Sequence, residues 1–61
     1  MSENIYDTAY KVYKIHRAVW EQWREGGIEE VWIDEDKNLC IRYESGQWWH
    51  YGIENGHWVW W

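Results

Sequence analysis

Apolar residues in the first third of the chain recur at helical spacing. At about 100° per residue, Ile5, Ala9, Val12, His16, Val19, Trp20 and Trp23 converge on one stripe, flanked by Tyr6 and Tyr13. Lys11, Lys14, Glu21, Gln22 and Glu25 fall on the far side. The pattern predicts an amphipathic helix over about residues 3–25. Asn4, with Asp7 three residues on, is set to cap it, and Ser2 is an alternative cap. Gly26-Gly27 supplies the stop, since glycine readily takes the left-handed conformation that closes a helix.

Beyond the glycines the period changes to two. Segments of about 28–34, 39–44, 47–52 and 57–61 are rich in Ile, Val, Trp and Tyr and predict four strands, or three if one fails to pair. Short connections, Glu35–Asn38, Ser45-Gly46 and Asn55-Gly56, make each neighbouring pair antiparallel. The expected fold is therefore α+β: one N-terminal amphipathic helix packed on an antiparallel meander, with residues 1–61 as a single domain.

Counting outward from two-residue turns at Ser45-Gly46 and Asn55-Gly56 sorts the strands into faces. Tyr43, Trp48, Ile41, His50, Gly52, Val59 and Trp61 share one face with Leu39, Trp32 and Ile28. The other carries Val31, Ile33, Cys40, Arg42, Trp49, Tyr51, Ile53, Trp58 and Trp60. One helix covers one face of such a sheet, so the other should present more apolar surface than a monomer usually leaves in water. Self-association is the simplest remedy, with Trp49, Tyr51, Trp58, Trp60, Arg42 and Ile33 as the expected contact residues. The competing expectation is a compact monomer whose indole rings fold over both faces.

Composition sharpens this picture. Five of the eight tryptophans lie in the last fourteen residues, and the apolar fraction of 46% with no proline argues against disorder. The formal net charge of −5 disfavours direct binding to nucleic acid or an anionic membrane. Glu29, Glu30, Asp34, Glu35 and Asp36 form an acidic patch that suits either a solvated edge or a basic protein partner. A lone cysteine fits a reducing, cytoplasmic setting, and no segment reads as a signal peptide or a membrane span.

Candidate chemistry is sparse. His50 and His57 share a face but stand roughly 13 Å apart, while Cys40 is assigned to the other side, so neither a metal nor a cofactor is expected. Cys40, between Ile33 and Tyr51 in this register, reads as a packed small hydrophobe rather than a nucleophile. His16 reads as a core histidine hydrogen-bonded to a Tyr, a Trp carbonyl or His50, and should resist protonation. Without a nucleophile–base pair, no enzyme activity is expected. Tryptophans on a short antiparallel sheet resemble the proline-peptide-binding WW module in residue type alone; the leading helix, fourth strand and lack of proline depart from it, and no family is assigned.

The functional expectation is a small acidic, non-catalytic interaction protein that forms a homodimer. By analogy it suits an accessory or inhibitor protein of a phage or mobile element, for example an anti-CRISPR-like or nucleic-acid-mimicking one. The alternative is a small-ligand binder in which Trp49, Tyr51, Trp58 and Trp60 form an aromatic platform for a sugar or a quaternary amine.

Overall fold

The computed structural model describes residues 4–61. Helix α1 (Ile5–Ala18) precedes strands β1 (Ile28–Ile33), β2 (Leu39–Tyr43), β3 (Trp48–Glu54) and β4 (His57–Trp60). The strands form one antiparallel sheet in the order β1-β2-β3-β4, and α1 lies across one face. The α+β meander expected from the sequence is the fold observed.

Asn4 starts the helix: its Oδ1 accepts the backbone N–H groups of Tyr6 and Asp7 at 2.9 and 3.0 Å. The Ser2 alternative and a helix start at residue 3 lie outside the described residues. The helix also ends earlier than its stripe implies. At Ala18 the ladder gives way to tighter bonds, Val19 N–H to His16 and Trp20 N–H to Arg17, and residues 19–27 run irregularly. Unwinding lets Trp23 turn inward against Tyr13, His16 and Tyr43, its indole N–H donating to the Gly26 carbonyl at 2.6 Å. Val19 and Trp20 are left exposed. The glycine pair is joined to the sheet instead of capping a helix: Gly27 N–H donates to the Glu44 carboxylate, and Glu44 N–H to the Gly27 carbonyl.

The turns fix the register. Asn55-Gly56 has positive φ at both positions (53° and 80°), forming the two-residue hairpin expected, with Glu54 opposite His57 and Tyr51 opposite Trp60. The β2–β3 connection differs. Gly46 N–H donates to the Tyr43 carbonyl and Tyr43 N–H to the Gln47 carbonyl, so the loop has three residues, Glu44-Ser45-Gly46, closed by Gly46 at φ +94°. The extra residue shifts β2 by one position against β3: Cys40 pairs with His50 and Ile41 with Trp49.

A one-residue shift exchanges a strand's faces. Leu39, Ile41 and Tyr43 therefore join Val31, Trp49, Tyr51 and Trp60 beneath the helix, around Ala9 and Val12. Cys40 and Arg42 move to the open face with Trp32, Trp48, His50, Gly52, Val59 and Trp61. The expected division holds on β3 and β4 and fails on β2. Ile28 also departs from it, because a bulge between Ile28 and Glu30 turns it toward the core.

Gly46 makes this turn testable. A Cβ built on it meets nothing within 4 Å, so the cost of substitution comes from the backbone alone. Gly46→Ala should lower unfolding stability by about 1 kcal/mol in urea titration. An unchanged midpoint would show that the left-handed residue is not what closes the loop.

Candidate functional site: the open face and the buried histidine

The open face is roofed by its own aromatic side chains. Trp32 lies 5.4 Å from Trp48 between ring centroids, Trp48 lies 4.9 Å from His50, and His50 stacks on Trp61 at 5.1 Å with planes 2° apart. Gly52 makes room for that stack, since a Cβ there would stand 3.4 Å from the Trp61 ring. The Trp61 backbone continues the pairing beyond β4, exchanging N–H···O bonds with His50. Beneath this layer Cys40 is fully buried, although no helix covers it. The roof itself remains wet, with Trp48 43% and Trp61 55% exposed.

Asp34, Cys40 and His50 converge at one end of this layer, their ligand atoms all within 4.8 Å of one another. His50 Nε2 is 3.7 Å from Asp34 Oδ2, and Cys40 Sγ is 3.9 Å from the same oxygen. Asp34 is held by the β1–β2 turn, its Oδ1 accepting the N–H groups of Asp36 and Asn38 at 2.9 and 2.8 Å. The Asn38 backbone bond chiefly holds this carboxyl below the usual range, aided by the Asn38 side chain, the Asp36 N–H and the nearby His50. Burial first, and then the Asp34 charge and its hydrogen bond, push the Cys40 thiol up. Such a thiol is a poor nucleophile. The geometry differs from a relay too, because His50 Nε2 faces the Asp34 carboxylate while Nδ1 is taken up by the Trp61 carbonyl.

Two expectations about Cys40 are thereby corrected. Its register partners are Trp32 and His50, not Ile33 and Tyr51, and it shares a face with His50 instead of opposing it. The sequence does contain a signal for this. Leu39, Ile41 and Tyr43 alternate with Cys40 and Arg42, so matching the oiliest positions strand by strand selects the observed phase where loop counting does not.

The expected contact residues are dispersed. Tyr51 is 1% exposed under the helix, and Trp49 and Trp60 pack against His16. Ile33 and Trp58 border a groove of about 460 Å³ beside the helix N-terminus, with Ile5 and Ile53. Arg42 alone lies on the open face, bridged to Glu30 at 2.9 Å and Glu29 at 3.1 Å. Of the acidic patch, Glu29 and Glu30 thus engage Arg42, Asp34 joins the Cys40–His50 cluster, and Glu35 and Asp36 are exposed on the turn. The aromatic platform envisaged for a ligand is not assembled, since two of its rings, Trp49 and Trp60, close over His16.

His16 is the buried polar centre of the covered side. It is fully buried, and its Nδ1 lies 2.6 Å from the Tyr51 hydroxyl, which lies 2.7 Å from that of Tyr43. Of the three partners expected for it, a Tyr, a Trp carbonyl or His50, the first is the one observed. The opposite nitrogen, Nε2, lies among the rings of Trp20, Trp23, Trp49 and Trp60 and has no hydrogen-bond partner among the described residues. Burial lowers the His16 pKa from 6.5 to about 4, against an opposing pull from Glu25. Burial also pushes the Tyr43 hydroxyl up to about 12 and that of Tyr51 higher still.

Compared with known proteins, the chain matches no family model, and no significant match arises among curated proteins or solved structures. Among the described residues, no helix is long and apolar enough to cross a membrane.

His16 carries a pH prediction. Its folded pKa lies below its unfolded value, so the unfolded chain binds the extra proton first as pH falls. The contribution is complete above pH 6.5 and is lost toward pH 4, at most roughly 3 kcal/mol. Urea unfolding across this window should show a steeper acid loss for the native chain than for His16→Met. Equal slopes would show that His16 protonates freely in the folded state. Tyr51→Phe should cost about 1–3 kcal/mol in the same assay, because it leaves His16 Nδ1 and the Tyr43 hydroxyl without their shared partner.

Proposed function

We propose that this protein is a non-catalytic interaction module that pairs with a second copy of itself through the open face of its sheet. The observation that carries this reading is the half-exposed Trp48 and Trp61 on the face opposite the helix. Large aromatic surfaces of this kind supply most of the energy of protein–protein contacts. A second copy is the occupant best suited to the charges around it. Arg42, Glu29 and Glu30 place both signs on the same face, so a second copy brings to it a surface with the complementary charges. The net charge of −5 opposes a nucleic-acid partner and makes pairing salt-sensitive.

The proposed face differs from the one expected from sequence, since Tyr51 and Trp60 serve the core. Sedimentation equilibrium over a concentration series should show a monomer–dimer exchange at micromolar chain. Trp48→Ala should weaken it at least ~10-fold with a smaller loss of urea stability, from the Trp32 and His50 contacts it gives up, than Trp60→Ala, which should act mainly on stability. A monomer at every concentration would overturn the reading. So would a dimer indifferent to Trp48→Ala but lost on Ile53→Ala, at the groove beside the helix.

A further inference from the structure

We infer that Asp34, Cys40 and His50 form a binding site for a zinc-like divalent cation, with one coordination position left to solvent. The residue types are those zinc takes, a thiolate, an imidazole and a carboxylate, and they come from the end of β1, from β2 and from β3. With metal bonds of about 2.0–2.3 Å, the donor atoms of a tetrahedral site stand roughly 3.3–3.7 Å apart. The observed 3.7 Å from His50 Nε2 to Asp34 Oδ2 and 3.9 Å from Cys40 Sγ to Asp34 Oδ2 close by a few tenths of an ångström, and the third edge, between Cys40 and His50, lies within 4.8 Å and closes by up to about an ångström through rotation of the two side chains.

The supporting groups are also in place. His50 Nδ1 lies 3.2 Å from the Trp61 carbonyl, to which it donates, so Nε2 turns its lone pair toward the cluster. That lone pair faces a carboxylate oxygen, an arrangement that calls for a cation between them, either a proton or a metal. The sulfur beside it favours the metal: with a proton it gives that carboxylate only a long 3.9 Å S–H contact, whereas in a zinc site it is a strong third donor. Asp34 is pinned through Oδ1 to Asp36 and Asn38, and its Oδ2, which also accepts a long 3.4 Å bond from the Asn38 amide, faces His50 and Cys40. Trp48 and Trp61 wall the imidazole on either side and limit its rotation. A route in is available: the Asp34 and His50 side chains are 21% and 28% exposed, although Cys40 is buried. On binding, the Cys40 sulfur bonds the ion and its proton leaves to solvent.

The inference is independent of the pairing of two chains and is tested separately. Chelator-treated protein is titrated with Zn²⁺ by calorimetry, in buffers of different ionisation enthalpy, and with Co²⁺ by absorbance. The expected result is one ion per chain, release of about one proton, and a cobalt spectrum with a thiolate charge-transfer band. Cys40→Ser should abolish that band and the proton release. Asp34→Asn and His50→Gln, at partly exposed positions where folding is readily checked by circular dichroism, should each weaken Zn²⁺ binding at least ~10-fold, and His57→Gln should leave it unchanged. The site is overturned by absence of saturable binding, by a cobalt complex without the thiolate band, by one ion shared between two chains, or by full affinity in Asp34→Asn or His50→Gln. Saturable binding by a chain that sediments as a monomer would uphold the site and reject the dimer.

Discussion

Both faces of this sheet depend on the phase of β2, and three residues set that phase. The Glu44-Ser45-Gly46 loop adds one residue to the tightest possible hairpin, with Gly46 absorbing the left-handed conformation this demands. Its consequences run in two directions. Inward, Leu39, Ile41 and Tyr43 meet Ala9 and Val12. Outward, Cys40 comes level with His50, and Arg42 with Trp48. The loop is held to the segment after the helix as well: Ser45 donates its hydroxyl to Glu25 and its N–H to the Glu25 carbonyl. The irregular stretch that swings Trp23 into the core is thus anchored to the turn that aligns the strands.

Eight tryptophans in so short a chain create a packing problem that the fold answers twice. A domain of this size has too little interior to enclose them all. On the covered side, Trp23, Trp49 and Trp60 close around His16 and Tyr43, using their edges and faces in tilted and T-shaped contacts. On the open side, Trp32, Trp48 and Trp61 lie over the sheet and one another, sealing Cys40 without help from a helix. Stacking removes part of each ring from water and leaves the outer faces of Trp48 and Trp61 exposed. The rings therefore cover the second face and still present an apolar surface there.

Much of this architecture is legible in the residues. Asn4, the stripe of Ala9, Val12 and His16, the change of period after Gly27 and the Asn55-Gly56 turn each have a local physical cause, and each appears where the sequence puts it. What was not legible depends on longer-range competition. Trp20 and Trp23 fit the helical stripe, but Trp23 packs better against Tyr43 and Trp49 than a continued helix would permit. Ser45-Gly46 reads as a two-residue turn because glycine fits either loop length; only the pairing of Leu39, Ile41 and Tyr43 with a covered face separates them. The Asp34–Cys40–His50 cluster followed from that choice, and so was hidden by the same one-residue slip.

Polar groups among the aromatics give the register its specificity. Apolar contacts are tolerant, and Trp or Tyr rings find partners in more than one alignment of two strands. A slip of β2 against β3, however, would carry the Arg42 charge beneath the helix and would part Tyr43 from Tyr51. Each buried polar group left without a partner costs about 1–3 kcal/mol, and an unpaired charge more. In a domain whose total stability is only several kcal/mol, two such losses are enough to exclude the slipped form. His16–Tyr51–Tyr43 on one face and Arg42–Glu30 on the other therefore discriminate between alignments that apolar contacts alone would leave nearly equal. They let a chain so rich in interchangeable aromatic rings settle on one structure.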